Sequence, residues 1–544
     1  MKNFCLLEDS RHRKVYRFFL LAVSAFFCAL TLVVPKLDLL EWVSLVPMAI
    51  AVFDISRDTK VRKRGLYGYG FFFYFCFYAV SFHWFVNMYP LEFIDGMTKF
   101  SALVVVLAGC VGLSVLQASG AGVLFVLFAV AVRRVCFDKR AFWSVVFLAL
   151  LASSLWTILE WSQTIGWVGV PWARLSIGQM GFFVGAQSAS LFGCCFVTFL
   201  IVFVNFLIAG AIICADGRKT LSVIAASVFL LNAAFGTVMV LRNTRDGEPI
   251  KVAAIQGNIS SQEKWSLSHT QKTLDVYEKY TVEAAEQGAK IVVWPESALP
   301  YNITNDIRLL DYISDLAREN QVTLLVGAFT YGEDEEYNSI VTVLPDGRLH
   351  ETVYSKRHLV PFGEYVPMRS LFEVLIPPLT EISMLSYDLS EGKSANVIEL
   401  EEADIGALIC FDSIYDKLAR DSVRSGAELL SISTNDSWFS DSAALRMHNS
   451  QAALRSIENG RYTIRAANTG ISSVIAPNGK TMESLDALEE GYICTDVYAR
   501  NERTLYSYLG NFFVYLCVLW VILCCFCEIL ISNFRKSLDK RTLK

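Results

Sequence analysis

Long apolar runs fill the first 241 residues of the chain, and shorter apolar runs separated by helical patterns follow them. An α-helix needs about 20 apolar residues to cross the hydrocarbon core of a bilayer. Eight runs approach or exceed that length, at residues 16–35, 38–55, 67–90, 98–132, 142–160, 182–213, 220–241 and 510–531. The pattern predicts eight transmembrane helices. We keep the long fourth and sixth runs as single spans, although small residues at 119–122 would also allow a hairpin in the fourth.

Clusters of Lys and Arg predict how these helices are oriented, because such residues stay on the cytoplasmic side of a membrane. With eight spans, all the basic clusters fall on one side: the N-terminus, residues 57–64, 133–140 and 218–219, and the tail at 535–541. We therefore expect both termini to be cytoplasmic. The large segment 242–509 is then exported to the opposite face.

Composition supports this division of the chain. The hydrophobic content of 54% exceeds that of an ordinary soluble protein. Residues 242–509 contain 24 Lys and Arg against 40 Asp and Glu, whereas the rest of the chain contains 24 against 13. So acidic an exterior argues against nucleic acid as a partner, since phosphate binding needs concentrated positive charge. We expect a seven-helix bundle at 1–241, an exported domain at 242–509, and an eighth helix with a basic tail at 510–544.

The exported segment alternates short β-branched runs with helical patterns, which predicts a layered α/β domain. The predicted strands are Val252–Gln256, Ile291–Trp294, Thr323–Ala328, Ser339–Leu344, Ile405–Ile409, Leu429–Ser433 and Ser473–Ala476. The predicted helices are Thr270–Gln287, Asn305–Asn320 and Ala443–Asn459.

Three chemically capable side chains come where predicted strands end or, for the lysine, just beyond the strand-like run Glu351–Tyr354, and strand ends are where α/β folds collect functional groups. They are Glu296, Lys356 and Cys410, and Glu364 follows eight residues after the lysine. Taken singly, a loop glutamate or lysine is usually a solvated surface residue. Together the three form a set for nucleophilic catalysis. Glutamate accepts the thiol proton, and lysine stabilises the thiolate and the negative oxygen formed when a carbonyl is attacked.

Cys410 can be interpreted in two ways that exclude each other, as a nucleophile or as half of a disulfide. A helix starting near Ser413 would point its positive end at the thiol and lower its pKa, which favours a nucleophile. Cys494 is the other cysteine of the exported segment, and two cysteines on an oxidising face can form a disulfide. A disulfide would remove the nucleophile.

The sequence lacks the patterns that indicate a metal site or a phosphate-binding loop. The six histidines are scattered without the spacing of metal ligands, so we expect no metal. The chain has no Gly-rich phosphate loop of the usual spacings, and we expect no cofactor.

Several segments carry a resemblance to a known family. They are IQGNISSQEKW (255–265), VVWPESALP (292–300), SKRHLVPFGEYVP (355–367), ICFDSIY (409–415), STNDSWFSDSAA (433–444), ENGRYTIRAANTGISSVIAPNGK (458–480) and, in the membrane part, WSQTIGWVGVPWARL (161–175). In these segments the sequence resembles bacterial apolipoprotein N-acyltransferases. The resemblance implies an eight-helix transmembrane bundle with an exported nitrilase-like αββα sandwich of the carbon–nitrogen hydrolase superfamily.

The resemblance also implies residue roles. Glu296 would be the general base, Lys356 the stabilising cation and Cys410 the nucleophile. Glu364 would be a supporting carboxylate, and Trp265 matches a tryptophan of the family's substrate cleft. The chain departs from the family at Phe411 and Asp412, where Tyr-Glu is usual. The Phe lacks a hydroxyl donor and the Asp is one methylene shorter, so contacts made there must change.

The implied reaction transfers an acyl chain from a membrane phospholipid, through a thioester on the cysteine, to the α-amine of a diacylglyceryl-cysteine apolipoprotein. The implied location is the bacterial inner membrane with a periplasmic catalytic domain, and no obligate protein partner is expected. Two alternatives remain open. One is a membrane-tethered amidase acting on a small soluble amide, and the other is a non-enzymatic lipid-binding transporter or scaffold.

Two further segments look suited to lipid substrates. Residues 366–387 are apolar for an exported loop and fit either a flap on the bilayer or ordinary core packing. The connection 160–181 is rich in Trp, which fits anchoring at the membrane interface. A more specific hypothesis is that this connection forms a lateral entrance for lipid, in which Arg174 binds the lipid phosphate.

Overall fold

A computed structural model describes most of the chain, namely residues 10–91, 97–135, 141–260, 264, 270–332, 335–375 and 387–526. Helices make up the N-terminal part. They span Ser10–Val33, Glu41–Ser44, Val46–Arg57, Lys63–Ser81, Lys99–Arg134, Ala141–Ser162, Phe183–Ala186, Ala189–Phe192, Cys194–Ile213 and Arg218–Leu241.

Among the described residues, six helices are long and apolar enough to cross a membrane, and the protein is a multi-pass membrane protein. They are His12–Val33, Asp38–Arg57, Lys99–Arg134, Phe142–Ser162, Cys194–Ile213 and Arg218–Leu241. Lys63–Ser81 and the shorter apolar helix Phe512–Phe526 occupy the other two predicted positions. The count of eight stays a prediction. The basic tail beyond residue 526 lies outside the described residues.

The two longest apolar runs behave differently. Lys99–Arg134 is one continuous helix through residues 119–122, so the hairpin alternative is wrong. The sixth run divides into two short helices and the long helix Cys194–Ile213. Gly193 precedes that long helix with φ +83°, a conformation that favours glycine and interrupts the helical path. Only the second part of this run is therefore a spanning helix.

Two sheets form the α/β domain between residues 249 and 498. Their strands are β1 Pro249–Gln256, β2 Ile291–Val293, β3 Leu299–Asn302, β4 Thr323–Gly332, β5 Glu335–Val343, β6 Tyr354–Ser355, β7 Val397–Ile398, β8 Ile405–Ile409, β9 Leu429–Thr434, β10 Thr463–Ala467, β11 Ser473–Ile475, β12 Thr481–Ser484 and β13 Gly491–Tyr498. One sheet has the order β13-β1-β2-β4-β5-β6, with β3 also paired to β4. The other has the order β12-β11-β10-β9-β8-β7.

The side chains of these strands alternate between two cores, as strand geometry requires. Val252 and Ala254 of β1 pack with Ile405 and Ala407 of β8 in a core between the two sheets. Ala253 and Ile255 of β1 face a second core under helices Thr270–Glu286 and Ile307–Asn320. The domain is therefore a sandwich of two sheets covered by helices, which confirms the predicted α/β class.

The outer face of the second sheet joins the α/β domain to the membrane helices. Leu408 of β8 and Leu430 of β9 pack on helices Asp416–Arg424 and Ala443–Asn459. Helix Ala443–Asn459 in turn packs against Ala189–Phe192. One apolar core thus runs from the sheet into the membrane part. The remaining short helices are Arg369–Leu375 and Leu505–Leu509.

All seven predicted strands exist, with boundaries shifted by up to four residues. The sequence pattern missed β3, β7, β10, β12 and β13, and it indicated β6 only as the strand-like run Glu351–Tyr354. Strand β10 carries Arg465 at a buried position, and β13, with the sequence GYICTDVY, mixes polar and apolar residues without regular alternation. Such strands lack a hydrophobic signal because tertiary partners, rather than apolar burial alone, hold them in place.

Candidate active site

Cys410 lies directly after β8, where the chain turns into a short 3-10 helix, Cys410–Ile414. Its φ of +48° is uncommon for a residue with a side chain, and such conformations persist where the surrounding structure holds them. Only 9% of the residue is exposed. The sulfur is therefore held at a rigid strand end.

Glu296 lies after β2 and is buried at the centre of a hydrogen-bond cluster. Its Oε1 accepts hydrogen bonds from Lys356 Nζ and Asn338 Nδ2, both at 2.8 Å. Its Oε2 accepts the backbone N–H of Asn435, which follows β9, at 2.9 Å. Burial alone would raise the pKa of Glu296, but the Lys356 and Lys264 ammoniums and these hydrogen bonds lower it overall. The carboxylate is therefore charged and ready to accept a proton.

Lys356 follows β6 and joins two carboxylates. Its Nζ donates to Glu296 Oε1 at 2.8 Å and to Glu364 Oε1 at 2.9 Å. Glu364 also accepts from Asn338 Nδ2 at 2.9 Å, and from the backbone N–H of Val360 at 2.9 Å. Burial disfavours the charge on Lys356, but the two carboxylates outweigh it and raise its pKa well above the ordinary value. The ammonium therefore stays charged.

The thiol of Cys410 differs from the sequence expectation. Burial, and then the negative charge of Glu296, raise its pKa well above the ordinary value, and Lys356 and a hydrogen bond with Thr434 only partly offset them. The next α-helix begins at Asp416, not near Ser413. The predicted lowering of the resting thiol pKa by a helix terminus is therefore wrong. The sulfur rests as a protonated thiol.

Asp412 connects the cysteine turn to the lysine loop. It is fully buried and accepts hydrogen bonds from Tyr354 Oη at 2.8 Å and from the backbone N–H of His358 at 2.8 Å. It also accepts the N–H of Ile409 at 3.1 Å and the N–H of Arg357 at 3.2 Å. Burial raises the pKa of Asp412 to about 6. Its side chain is too engaged in these bonds to be a free substrate contact.

Phe411, the other departure from the family pattern, is partly exposed beside the site. Its ring lies 5.4 Å from that of Tyr415 and 5.9 Å from that of His358, measured between centroids. An apolar ring suits such a packed position. The structure gives no reason for a hydroxyl here.

Arg174 does not have the environment expected of a phosphate ligand at a lateral entrance. Its side chain is fully buried, and its Nη2 forms an ion pair with Asp416 Oδ1 at 3.1 Å. Its Nη1 donates to Cys194 Sγ at 2.9 Å. Since the guanidinium is closed off from lipid, the lipid-phosphate hypothesis for Arg174 is wrong. It joins the membrane part to the α/β domain instead.

Two predicted features lie outside the described residues. Trp265 is one, and residues 376–386 of the apolar segment 366–387 are the other. Beside Trp265, sequence reasoning missed Lys264, which is buried and donates from Nζ to the Glu296 carbonyl oxygen at 2.8 Å. Burial lowers its pKa to about 7, although Glu296 and Cys410 oppose this. Its place within the matched motif 255–265 was the only available signal.

Cys410 and Cys494 both carry free thiols. Cys494 lies in β13 opposite Ala253 of β1, half-buried on the other sheet. The disulfide interpretation of Cys410 is therefore wrong, and the sulfur is available as a nucleophile.

A group with metal-ligand chemistry lies beside the sulfur. Donor atoms of Cys410, Asp436 and His448 lie within 4.8 Å of one another. The oxygens of Asp436 already accept from His448 Nδ1 at 2.8 Å and from Arg465 Nη2 at 2.7 Å. These charges hold the pKa of Asp436 well below its usual range against the effect of burial. The carboxylate is thus already engaged by the Arg465 guanidinium and the His448 ring, and we assign no metal to it.

Comparison with known proteins decides the family. Residues 24–207 match the apolipoprotein N-acyltransferase N-terminal domain, and residues 251–504 match the carbon-nitrogen hydrolase domain. An apolipoprotein N-acyltransferase of Geobacter metallireducens is 33% identical over 375 residues, which cover 67% of this chain and 71% of that protein. The chain belongs to the apolipoprotein N-acyltransferase family. The resemblance read from its motifs is confirmed.

Other relatives agree over more of the chain. The apolipoprotein N-acyltransferase of Gloeobacter violaceus is 28% identical over 480 residues, 87% of each protein. Among solved structures, an amidase from Nesterenkonia sp. matches 46% of this chain and 91% of its own at 18% identity, with a TM-score of 0.36. The family match and the curated relatives, not this structural likeness, show that the chain is an enzyme, an acyltransferase whose carbon–nitrogen hydrolase domain fits acyl transfer through a cysteine. The non-enzymatic alternative is set aside.

Proposed function

We propose that this acyltransferase moves an acyl chain from a membrane phospholipid, through a thioester on Cys410, to the N-terminal α-amine of a diacylglyceryl-cysteine apolipoprotein. The products are the triacylated lipoprotein and a lysophospholipid. The observation that carries this proposal is the Glu296–Lys356 ion pair of 2.8 Å, buried beside a free cysteine at the end of β8. Glu364 supports the lysine from its other side.

The first half-reaction forms the thioester. Cys410 Sγ attacks the ester carbonyl carbon of the phospholipid, and Glu296 takes the thiol proton because its carboxylate is held in the charged form. Lys356 stays protonated and stabilises the thiolate and the negative oxygen that forms. The ester C–O bond then breaks, and the leaving lysophospholipid oxygen receives the proton from Glu296.

The second half-reaction frees the enzyme. The neutral α-amine of the apolipoprotein attacks the thioester carbonyl, and Glu296 accepts a proton from the nitrogen. The C–S bond breaks, and the sulfur takes the proton back to become a thiol again. The amide product and the original enzyme result, so the cycle needs no cofactor.

The architecture suits substrates that stay in a bilayer. The cysteine turn precedes helix Asp416–Arg424, which packs in the apolar core shared with the membrane helices. A wholly soluble enzyme would have to extract each acyl chain at about 0.8 kcal/mol per CH₂. We infer that the site faces the outer leaflet of the bacterial inner membrane. In this proposal residues 242–509 are periplasmic, and both termini are cytoplasmic.

A two-stage labelling experiment tests this function. The purified full-length enzyme is incubated with phospholipid carrying a labelled acyl chain, and mass spectrometry follows Cys410. A diacylglyceryl lipopeptide is then added. The proposal expects the label on Cys410 first and on the lipopeptide amine afterwards. Labelled fatty acid without any lipopeptide product would instead indicate hydrolysis, as in the amidase alternative.

Two cysteine variants complete the experiment. Cys410→Ala is expected to form neither the thioester nor the product. Cys494→Ser is the matched control, since Cys494 lies in the other sheet, and both steps should persist in it. Transfer retained by Cys410→Ala would refute the mechanism.

A further inference from the structure

The side of Cys410 that faces the membrane helices carries a second polar cluster, distinct from Glu296, Lys356 and Glu364. It consists of Ser413, Asp436 and His448, all of which are at most 1% exposed. Ser413 belongs to the cysteine turn, Asp436 follows β9, and His448 lies in helix Ala443–Asn459. The proposed mechanism uses none of these three residues. Their burial still needs an explanation, because a buried polar cluster is costly unless it is fully hydrogen-bonded.

The cluster converges on the backbone carbonyl of Cys410. Ser413 Oγ donates to that oxygen at 2.7 Å, and His448 Nε2 lies 3.2 Å from it. His448 Nε2 also lies 3.0 Å from Ser413 Oγ. The other ring nitrogen, Nδ1, lies 2.8 Å from Asp436 Oδ1. A carboxylate oxygen only accepts, so the Nδ1 proton points at Asp436 and fixes the orientation of the ring.

Further contacts hold Asp436 and His448 in place. Arg465 Nη2 donates to Asp436 Oδ2 at 2.7 Å, and Thr434 Oγ1 donates to Oδ1 at 3.0 Å. The ring of Trp172 packs on His448 with centroids 5.4 Å apart. Trp172 belongs to the connection between two spanning helices. The cluster is therefore clamped between the sheet and the membrane part.

The orientation of the Cys410 carbonyl also determines the orientation of the Phe411 N–H. The carbonyl of Cys410 and the N–H of Phe411 lie in one rigid plane and point in opposite directions. A clamp on the carbonyl oxygen therefore also fixes the direction of the N–H. The clamp is needed because Cys410 has φ +48°, a conformation that a free chain would relax.

We propose that Asp436, His448 and Ser413 are positioning residues that aim the Phe411 N–H at the oxyanion of the tetrahedral intermediates. This inference rests on the proposed function, since it takes Cys410 as the nucleophile. When Sγ bonds to the acyl carbon, the carbonyl π electrons move to oxygen, and the aimed N–H and the Lys356 ammonium share the negative charge. The charge returns to the carbonyl when the C–O or C–S bond breaks.

The test compares two reactions of the same sulfur. Acyl transfer passes through an oxyanion, whereas alkylation by iodoacetamide replaces iodide and forms none. In His448→Gln and in the milder Ser413→Ala, the proposal expects thioester formation to fall by about 10- to 100-fold, short of the 10²–10³ seen when a whole oxyanion donor is removed. Because donor atoms of Asp436 and His448 also lie within 4.8 Å of the sulfur, we expect some change in the alkylation rate of Cys410 as well, but acylation should fall at least about fivefold more than alkylation in both variants. The KM for phospholipid should stay within about twofold of wild type.

Asn449→Ala is the matched control. Asn449 lies next to His448 on the same helix, but its Oδ1 accepts from Ser473 Oγ at 2.7 Å instead of facing the cysteine turn. Both reactions should keep their wild-type rates in this variant. Equal losses of acylation and alkylation in the Ser413 and His448 variants would overturn the proposal, because the cluster would then merely position the sulfur. Unchanged acylation in Ser413→Ala and His448→Gln would overturn it as well.

Cys410→Ala separates a failure of this inference from a failure of the proposed function. If Cys410→Ala still transfers acyl chains, the thioester route fails and the positioning role fails with it. If Cys410→Ala is inactive while Ser413→Ala and His448→Gln acylate normally, only the positioning role fails.

Discussion

Arg174 and Asp416 form an ion pair of 3.1 Å between Nη2 and Oδ1, across the junction of the membrane part and the α/β domain. The two residues are 242 positions apart in the chain, and both are buried. The Arg174 and Arg455 charges hold the pKa of Asp416 at about 2, against the effect of burial. Tyr506 Oη donates to the second Asp416 oxygen at 2.8 Å. The pair thus fixes the α/β domain on the membrane helices.

Removing one partner of this pair should be costly. Asp416→Asn leaves a buried guanidinium without its counter-charge, and we expect a loss of about 3–5 kcal/mol in stability. In the double variant Arg174→Met/Asp416→Leu both charges are gone, so the loss of stability should be much smaller than in Asp416→Asn. Thermal unfolding in detergent measures this. The exposed pair Arg242–Glu502 is the control, and Arg242→Met should cost only about 0–1 kcal/mol. Equal losses from the single and double changes at the buried pair would contradict the prediction.

Glu296→Gln should stop acylation while leaving donor binding intact. The amide keeps the size of the carboxylate but does not accept the thiol proton, and general base catalysis contributes about 10²–10⁴-fold. Single-turnover thioester formation and phospholipid binding are measured side by side. The exposed Glu391 offers a charge-matched control, Glu391→Gln, which should acylate at the wild-type rate. Normal thioester formation in Glu296→Gln would remove the base assignment.

Asp412→Asn should displace the lysine loop. Asp412 accepts from the N–H groups of Arg357 and His358, and an amide nitrogen in place of one oxygen would face those donors instead. Burying unsatisfied donors costs about 1–3 kcal/mol, so we expect roughly a tenfold or greater fall in kcat. Phe411→Tyr, which restores the usual family residue, leaves these bonds in place and should change kcat by no more than about twofold. Full activity of Asp412→Asn would show that the loop does not depend on this carboxylate.

The stability contribution of Lys264 should depend on pH. Its pKa is about 7 in the folded protein against an ordinary value of 10.5, because burial disfavours the ammonium. Between these values the unfolded chain binds more protons than the folded protein, so stability rises with pH there. Below pH 7 both states are protonated and the full cost of the buried charge is present. Lys264→Met removes that cost.

The Tm difference between Lys264→Met and wild type should therefore be largest below pH 7 and shrink towards pH 9. Melting in detergent across this range measures it. Lys290→Met, at an exposed lysine of the same domain, should show a difference that is independent of pH. A constant difference for Lys264→Met would indicate that its ammonium is not desolvated.

Local patterns of the sequence were enough for much of this molecule. Apolar runs predicted the membrane helices, and alternation predicted the α/β domain and most of its central strands, because side-chain periodicity depends only on nearby residues. The same reasoning found Glu296, Lys356 and Cys410, since each follows a recognisable strand or strand-like run. The motifs around them pointed to the family. Glu364 joined this set through its short distance from Lys356 along the chain.

Only the tertiary structure determines the charge environment of the site residues and the contacts that hold them in place. Lys264 reaches Glu296 across 32 residues, His448 reaches Cys410 across 38, and Arg174 reaches Asp416 across 242. No local pattern records such pairings, because they exist only after the sheets and helices have packed together. The same packing removes water from Cys410 and raises the pKa of its thiol, and it closes Arg174 off from lipid. Burial is a property of the whole fold, which a chain read residue by residue does not display.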